Sequence, residues 1–141
     1  FFTPELTLVK GTYTTVKPNY LDKINIKRAI LSLKKTNNYN YSQGAVSRNN
    51  KLVAIEGNKG TEYMLKKCKK KNLKNNGVLV KFPKKKQDLR IDLPTVGLKT
   101  LIQCKEAGIK GIVLKSKKNI FLNKKKAINF ANRNRMFVTV Q

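Results

Sequence analysis

The sequence predicts an α/β fold: a single compact domain with a mixed, partly parallel sheet flanked by helices. Three observations carry this. Short apolar runs of buried-strand type recur at Val78-Leu79-Val80, Gly111-Ile112-Val113-Leu114 and Met136 to Val140. Stretches with helical apolar spacing lie between them, and strands alternating with helices favour a sheet with parallel strands. At 141 residues the chain is the size of one domain able to bury a core.

Taken in order, Phe1 to Tyr20 shows no clear period and contains Pro4, Gly11 and Pro18, which reads as a linker or extended arm (residues 1–20). Its apolar residues Phe1, Phe2, Leu6 and Leu8 are candidates for domain docking. From Leu21 to Lys35 the apolar residues follow a helical spacing, with Asp22 at the start and Asn37-Asn38 beyond the end. Gln43 to Ile55 reads as two strands joined by a tight turn at Arg48-Asn49-Asn50, since Asn tolerates positive φ. A helix follows, N-capped by Thr61, with Glu62 at the positive end of its dipole and a C-terminus near Asn75-Asn76-Gly77. Gly77 to Phe82 is a strand of buried type. After a charged loop, Gly97 to Ala107 is a helix with Leu98, Leu101, Ile102 and Ala107 facing inward. Ile109 to Lys115 is a strand, Asn119 to Leu122 a brief hairpin return, Lys124 to Asn134 a helix, and Met136 to Val140 the last strand.

Composition excludes several chemistries. The chain has no His, so neither a Ser-His-Asp triad nor a His-ligated metal can form within it. Cys68 and Cys104 are too few for a zinc site and read as small core residues in a reducing compartment. No apolar run approaches the roughly 20 residues that cross a bilayer. The 32 basic residues against 7 acidic ones give a net charge of +25. Nucleic-acid binding is the reflex reading. Yet 27 of the basic residues are Lys and only 5 are Arg, whereas base readout favours Arg. Most of these lysines read as solvated surface, which would still attract an anionic ligand or membrane leaflet.

The charged loop carries the chemistry. Lys81 to Gly97, KFPKKKQDLRIDLPTVG, holds Asp88 and Asp92, four apart, with Arg90 between them. Two carboxylates can hold one hard divalent cation. Such a cation can bind a phosphoryl oxygen and acidify an attacking water. Lys81 and Arg90 can neutralise phosphate charge. The turn Gly57 to Glu62, with Gly60 and Thr61 at a helix start, could present free N–H groups to phosphate, or could simply cap a surface helix. Four of the seven acids, Glu56, Glu62, Asp88 and Asp92, sit at two strand exits. In a chain so poor in carboxylates, this clustering suggests a purpose.

The run Gln87 to Gly97, QDLRIDLPTVG, closely resembles a signature of the UDP-2,3-diacylglucosamine pyrophosphatase family of the LpxI type. Further runs resemble that family in the same order: Gly44-Ala45-Val46 through Leu52 to Gly57, Gly60 to Leu65, and Gly77 to Lys81. The resemblance covers residues 21–141 and the family's carboxyl-terminal catalytic domain; the amino-terminal domain is absent from this chain. It implies a hydrolase supported by a divalent metal, Mg2+ or another such cation, for example Mn2+. The enzyme cleaves the pyrophosphate of UDP-2,3-diacylglucosamine to UMP and 2,3-diacylglucosamine 1-phosphate (lipid X) in bacterial lipid A synthesis, in the cytoplasm and peripheral to the inner membrane. It also implies a substrate held between two domains, and a homodimer is admitted. A catalytic Asp of the family falls in the QDLRID segment and is carried over to Asp88 first and Asp92 second, with both as metal ligands. Lys81, Arg90, Gly60, Thr61, Glu62, Gln87 and Thr95 are the matching candidates for substrate or phosphate contact. Glu62 departs from the family, which more often has Asp there. The competing expectation, from another class, is a non-catalytic Lys-rich nucleic-acid-binding domain, recognisable by binding that weakens steeply with salt.

Overall fold

The computed structural model describes residues 7–36, 43–69, 76–83 and 94–141. Its elements are β1 (Gly11–Thr12), α1 (Tyr20–Thr36), β2 (Gly44–Arg48), β3 (Lys51–Ile55), α2 (Gly60–Cys68) and β4 (Val78–Lys81). Then come β5 (Thr95–Gly97), α3 (Leu98–Glu106), β6 (Gly111–Leu114), β7 (Ile120–Leu122), α4 (Lys124–Arg133) and β8 (Phe137–Val140). Six strands form one sheet in the order β1-β8-β6-β4-β2-β3, and β5 and β7 form a two-stranded sheet. In the large sheet β4, β6 and β8 run parallel, while β2, β3 and β1 add antiparallel pairs. The α/β class with a mixed sheet is therefore the one predicted.

Strands β4 and β6 are buried along their whole length because helices cover both faces of the sheet, which is why they read as unbroken apolar runs. Their alternation sorts side chains into two layers. Val78, Val80, Val113 and Phe137 pack with Ile26, Ala29 and Leu33 of α1. Leu79, Ile112, Leu114 and Val138 face the other way, onto Leu65, Leu101, Ala127 and Ala131 of α2, α3 and α4. Phe137, the register partner of Gly111 on β8, lays its ring against that glycine. A Cβ there would stand 2.5 Å from the Phe137 ring, so the aromatic face lies where a side chain would be.

Helix α1 begins on a reciprocal cap: the Asn19 N–H donates to Asp22 Oδ2 and the Asp22 N–H to Asn19 Oδ1, each at 2.9 Å. Its inward face is more polar than the spacing suggests. Leu21 and Leu31 are exposed, whereas Asp22 and Asn25 are buried. Asp22 accepts from Lys110 Nζ at 2.7 Å, and Asn25 Oδ1 accepts from the Asn50 backbone at 2.9 Å. The β2–β3 turn is as expected, with Asn49 at φ 51° and Asn50 at φ 59°. The 1–20 stretch contributes β1, paired with β8, and the buried Leu8.

Four local expectations are corrected. Thr61 does not cap α2: the helix starts at Gly60, Lys59 occupies the cap position, and the Thr61 hydroxyl turns inward. The helix stops at Cys68 rather than near Gly77, because Lys69 is already extended. Ile102 is 37% exposed, while Leu101 and Cys104 take the buried positions of α3. Ile120 to Leu122 is no hairpin return; it pairs parallel with Thr95 to Gly97, a strand hidden inside the loop motif. Both cysteines are free and buried, as expected.

Candidate functional site at the carboxyl edge of the sheet

The strand registers bring several chain exits to one edge. Lys81, Leu114 and Val140 end the parallel strands side by side. Because β2 and β3 alternate in direction, Gly44 opens β2 and Ile55 ends β3 at that same edge. Ligands of α/β sheets bind beyond such carboxyl ends.

Three polar side chains meet there. Glu56 follows β3, and its N–H donates to the Gly44 carbonyl at 2.8 Å, which aims the carboxylate toward the α2 layer. Lys81 lies two residues beyond Leu79 and so points to the same layer. Its ammonium donates to Thr61 Oγ1 and, at 3.4 Å, to Glu56 Oε1. The Thr61 hydroxyl in turn donates to Glu56 Oε1. The Lys81 and Glu56 side chains are only 9% and 7% exposed. Taking both charges out of water is costly, and their mutual attraction together with the shared hydroxyl offsets that cost. Such buried ion pairs are weak devices for stability and are common at functional sites.

The start of the loop leaving β4 is tied down on both sides. The Phe82 N–H donates to the Gln43 carbonyl at 2.8 Å. Asn119 donates through Nδ2 to the Lys81 carbonyl at 3.0 Å and accepts from the Lys115 N–H at 2.9 Å. The far end of the loop is anchored one residue on, where the Ile120 N–H donates to the Pro94 carbonyl at 2.9 Å.

The candidates from sequence thus divide. Thr61 and Lys81 come together. Gly60 lies beside them at φ 87° with open space where a Cβ would stand, but its N–H donates to the Gly57 carbonyl at 3.2 Å. Glu62 points elsewhere: it is exposed and pairs with Lys66 at 3.5 Å and Lys99 at 3.8 Å over a cavity of about 510 Å3 between α2 and α3. Thr95 is exposed at the start of β5. Gln87, Asp88, Arg90 and Asp92 lie outside the described residues. The sequence puts Glu56 at a strand exit, and both Glu56 and Gly44 in a run that resembles the family, but it assigns no role to them or to Asn119, because their partners lie far along the chain. Among the described residues no group of three His, Cys, Asp or Glu side chains could hold a metal ion, and no helix is long and apolar enough to cross a membrane.

An α/β domain with a mixed sheet and, at its carboxyl edge, a buried Lys-Glu pair bridged by a threonine is the class that fold and site define. The family model described as the LpxI C-terminal domain matches residues 9–139, and the chain belongs to that family. It is 29% identical over 141 residues to the UDP-2,3-diacylglucosamine pyrophosphatase LpxI of Caulobacter vibrioides. That similarity covers 95% of this chain and 50% of the relative, so the chain spans about half the relative's length.

Proposed function

We propose that this chain is the carboxyl-terminal domain of a hydrolase that cleaves the pyrophosphate of UDP-2,3-diacylglucosamine. The products are UMP and 2,3-diacylglucosamine 1-phosphate. The observation that carries this reading is the buried ammonium of Lys81, held by Thr61 and Glu56 where the QDLRID-bearing loop leaves the sheet. A fixed cation at a strand exit suits the stabilisation of phosphoryl charge, because its orientation is set before the substrate arrives. Lys81 and Arg90 bind phosphoryl oxygens in this reading, and Gln87 and Thr95 make further polar contacts. Asp88 and Asp92 would hold Mg2+ or Mn2+, hard cations that suit carboxylate oxygens; bound there, the ion would acidify water and screen phosphate charge. One of the two aspartates orients the attacking water.

The remaining half of the relative's length corresponds to an amino-terminal domain that closes the substrate site. The protein acts in the cytoplasm at the inner membrane, and the +25 charge favours the anionic leaflet from which a lipid substrate comes. The test is UMP release by the protein carrying both domains, comparing wild type with Asp88→Ala and Asp92→Ala. At least one variant should lose turnover by about two orders of magnitude or more. Wild-type turnover in both variants would remove the assignment.

A further inference from the structure

We propose that Glu56 is a positioning residue of this phosphate-binding edge, acting on the substrate through Lys81 and Thr61. The inference rests on the pyrophosphatase reading above and extends it to a residue to which those motifs assign no role. Three observations carry it.

The first is the direction of the hydrogen bonds. Thr61 gives its only hydroxyl proton to Glu56 Oε1, so its lone pairs are turned to Lys81. Two of the three ammonium protons of Lys81 are directed at Thr61 Oγ1 and Glu56 Oε1, which sets the rotation of the third. The carboxylate therefore orients both groups at once.

The second is the space kept for it. A Cβ on Gly44 would stand 3.0 Å from Glu56 Oε1 and 3.4 Å from the Met64 methyl. The absence of a side chain at position 44 makes room for the carboxylate. Gly44 is not in the left-handed region, so its backbone does not itself require glycine.

The third is chemical economy. An ion pair kept only for packing could be replaced by apolar groups of similar volume at little cost or with a gain. This one sits at the strand edge where ligands of such sheets bind, with its cation at the head of the loop that carries the aspartates.

The experiment is a double-mutant cycle in the protein carrying both domains. It reads kcat and KM for UMP release, with melting temperature as the control for folding. Lys81→Met should lower kcat about 100-fold or more. Glu56→Gln should lower it about 10–100-fold, the range for residues that orient a contacting group, with KM within about 3-fold. Added to Lys81→Met, it should cost less than about 3-fold more, because its effect passes through Lys81. Gly44→Ala keeps every charge and crowds the carboxylate; it should lower kcat in the same way with its melting temperature near wild type, and it decides the matter if Glu56→Gln does not fold. Wild-type kcat in Glu56→Gln or Gly44→Ala, or losses that multiply in the double variant, would overturn the role of Glu56 while leaving the pyrophosphatase reading intact. A folded wild type that releases no UMP would overturn that reading, and this role with it.

Discussion

Arg48 donates through Nη1 to the carbonyl of Cys68, the last residue of α2, at 2.9 Å. The same guanidinium bonds the Asn76 carbonyl through Nε at 2.9 Å and the Ala107 carbonyl, just past α3, through Nη2. One buried cation thus closes the ends of two helices and the approach to β4, where helix dipoles are negative. Burial lowers the Arg48 pKa from its ordinary value, though it stays a cation at neutral pH.

Replacing Arg48 by Ala strands two buried carbonyls, those of Cys68 and Ala107, and the half-buried one of Asn76. Each unmet buried acceptor costs about 1–3 kcal/mol, so Arg48→Ala should lose at least about 2 kcal/mol in urea melts. Arg48→Lys should recover little of this, since one ammonium cannot reproduce the planar fork.

Gly111→Ala should destabilise by about 1–3 kcal/mol, because its new methyl group meets the Phe137 ring. Adding Phe137→Leu should make the two losses non-additive, the double variant being more stable than their sum predicts. Thermal unfolding of the four proteins measures the coupling.

Asn119→Ala should remove the donor to Lys81 and the acceptor for Lys115 and cost about 2 kcal/mol. The same substitution loosens the head of the catalytic loop under the proposed function. Its kcat should therefore fall, while a surface change such as Lys118→Ala leaves kcat near wild type.

Cys68 and Cys104 should resist alkylation in the native protein and react fully in denaturant. Burial raises both thiol pKa values, so neither offers thiolate at neutral pH. The sign for stability follows. The fold holds these protons more tightly than the unfolded chain, so their contribution is constant below the ordinary thiol pKa of about 9 and falls as pH rises above it. Melting temperatures from pH 7 to 10 should show that decline, and it should shrink in Cys104→Ala.

Glu62→Gln should change stability by no more than about 0.5 kcal/mol, since both of its ion pairs are solvent-exposed. A larger loss would mean that the α2–α3 groove depends on this carboxylate more than its exposure implies.

The parts read most accurately from sequence are those whose signal is local. Helical spacing placed α1 within a residue at each end, and Asn49-Asn50 marked the hairpin because positive φ is a property of those residues. The short strand β5 was missed because three residues carry no period and are held by a partner, β7, 25 positions on. Ile102 was assigned inward because an apolar residue at helical spacing does not reveal whether a neighbouring helix reaches it.

The same division holds for function. By itself the sequence determined the α/β class, the buried central strands and the family, because periodicity and an ordered set of motifs are written in adjacent residues. Only tertiary structure decided that Lys81 and Thr61 share Glu56, that Gly44 leaves it room, and that Glu62 turns away to Lys99. Those relations join residues from different strands and helices. Which charges meet depends on sheet order and strand direction, and a linear chain does not display either one.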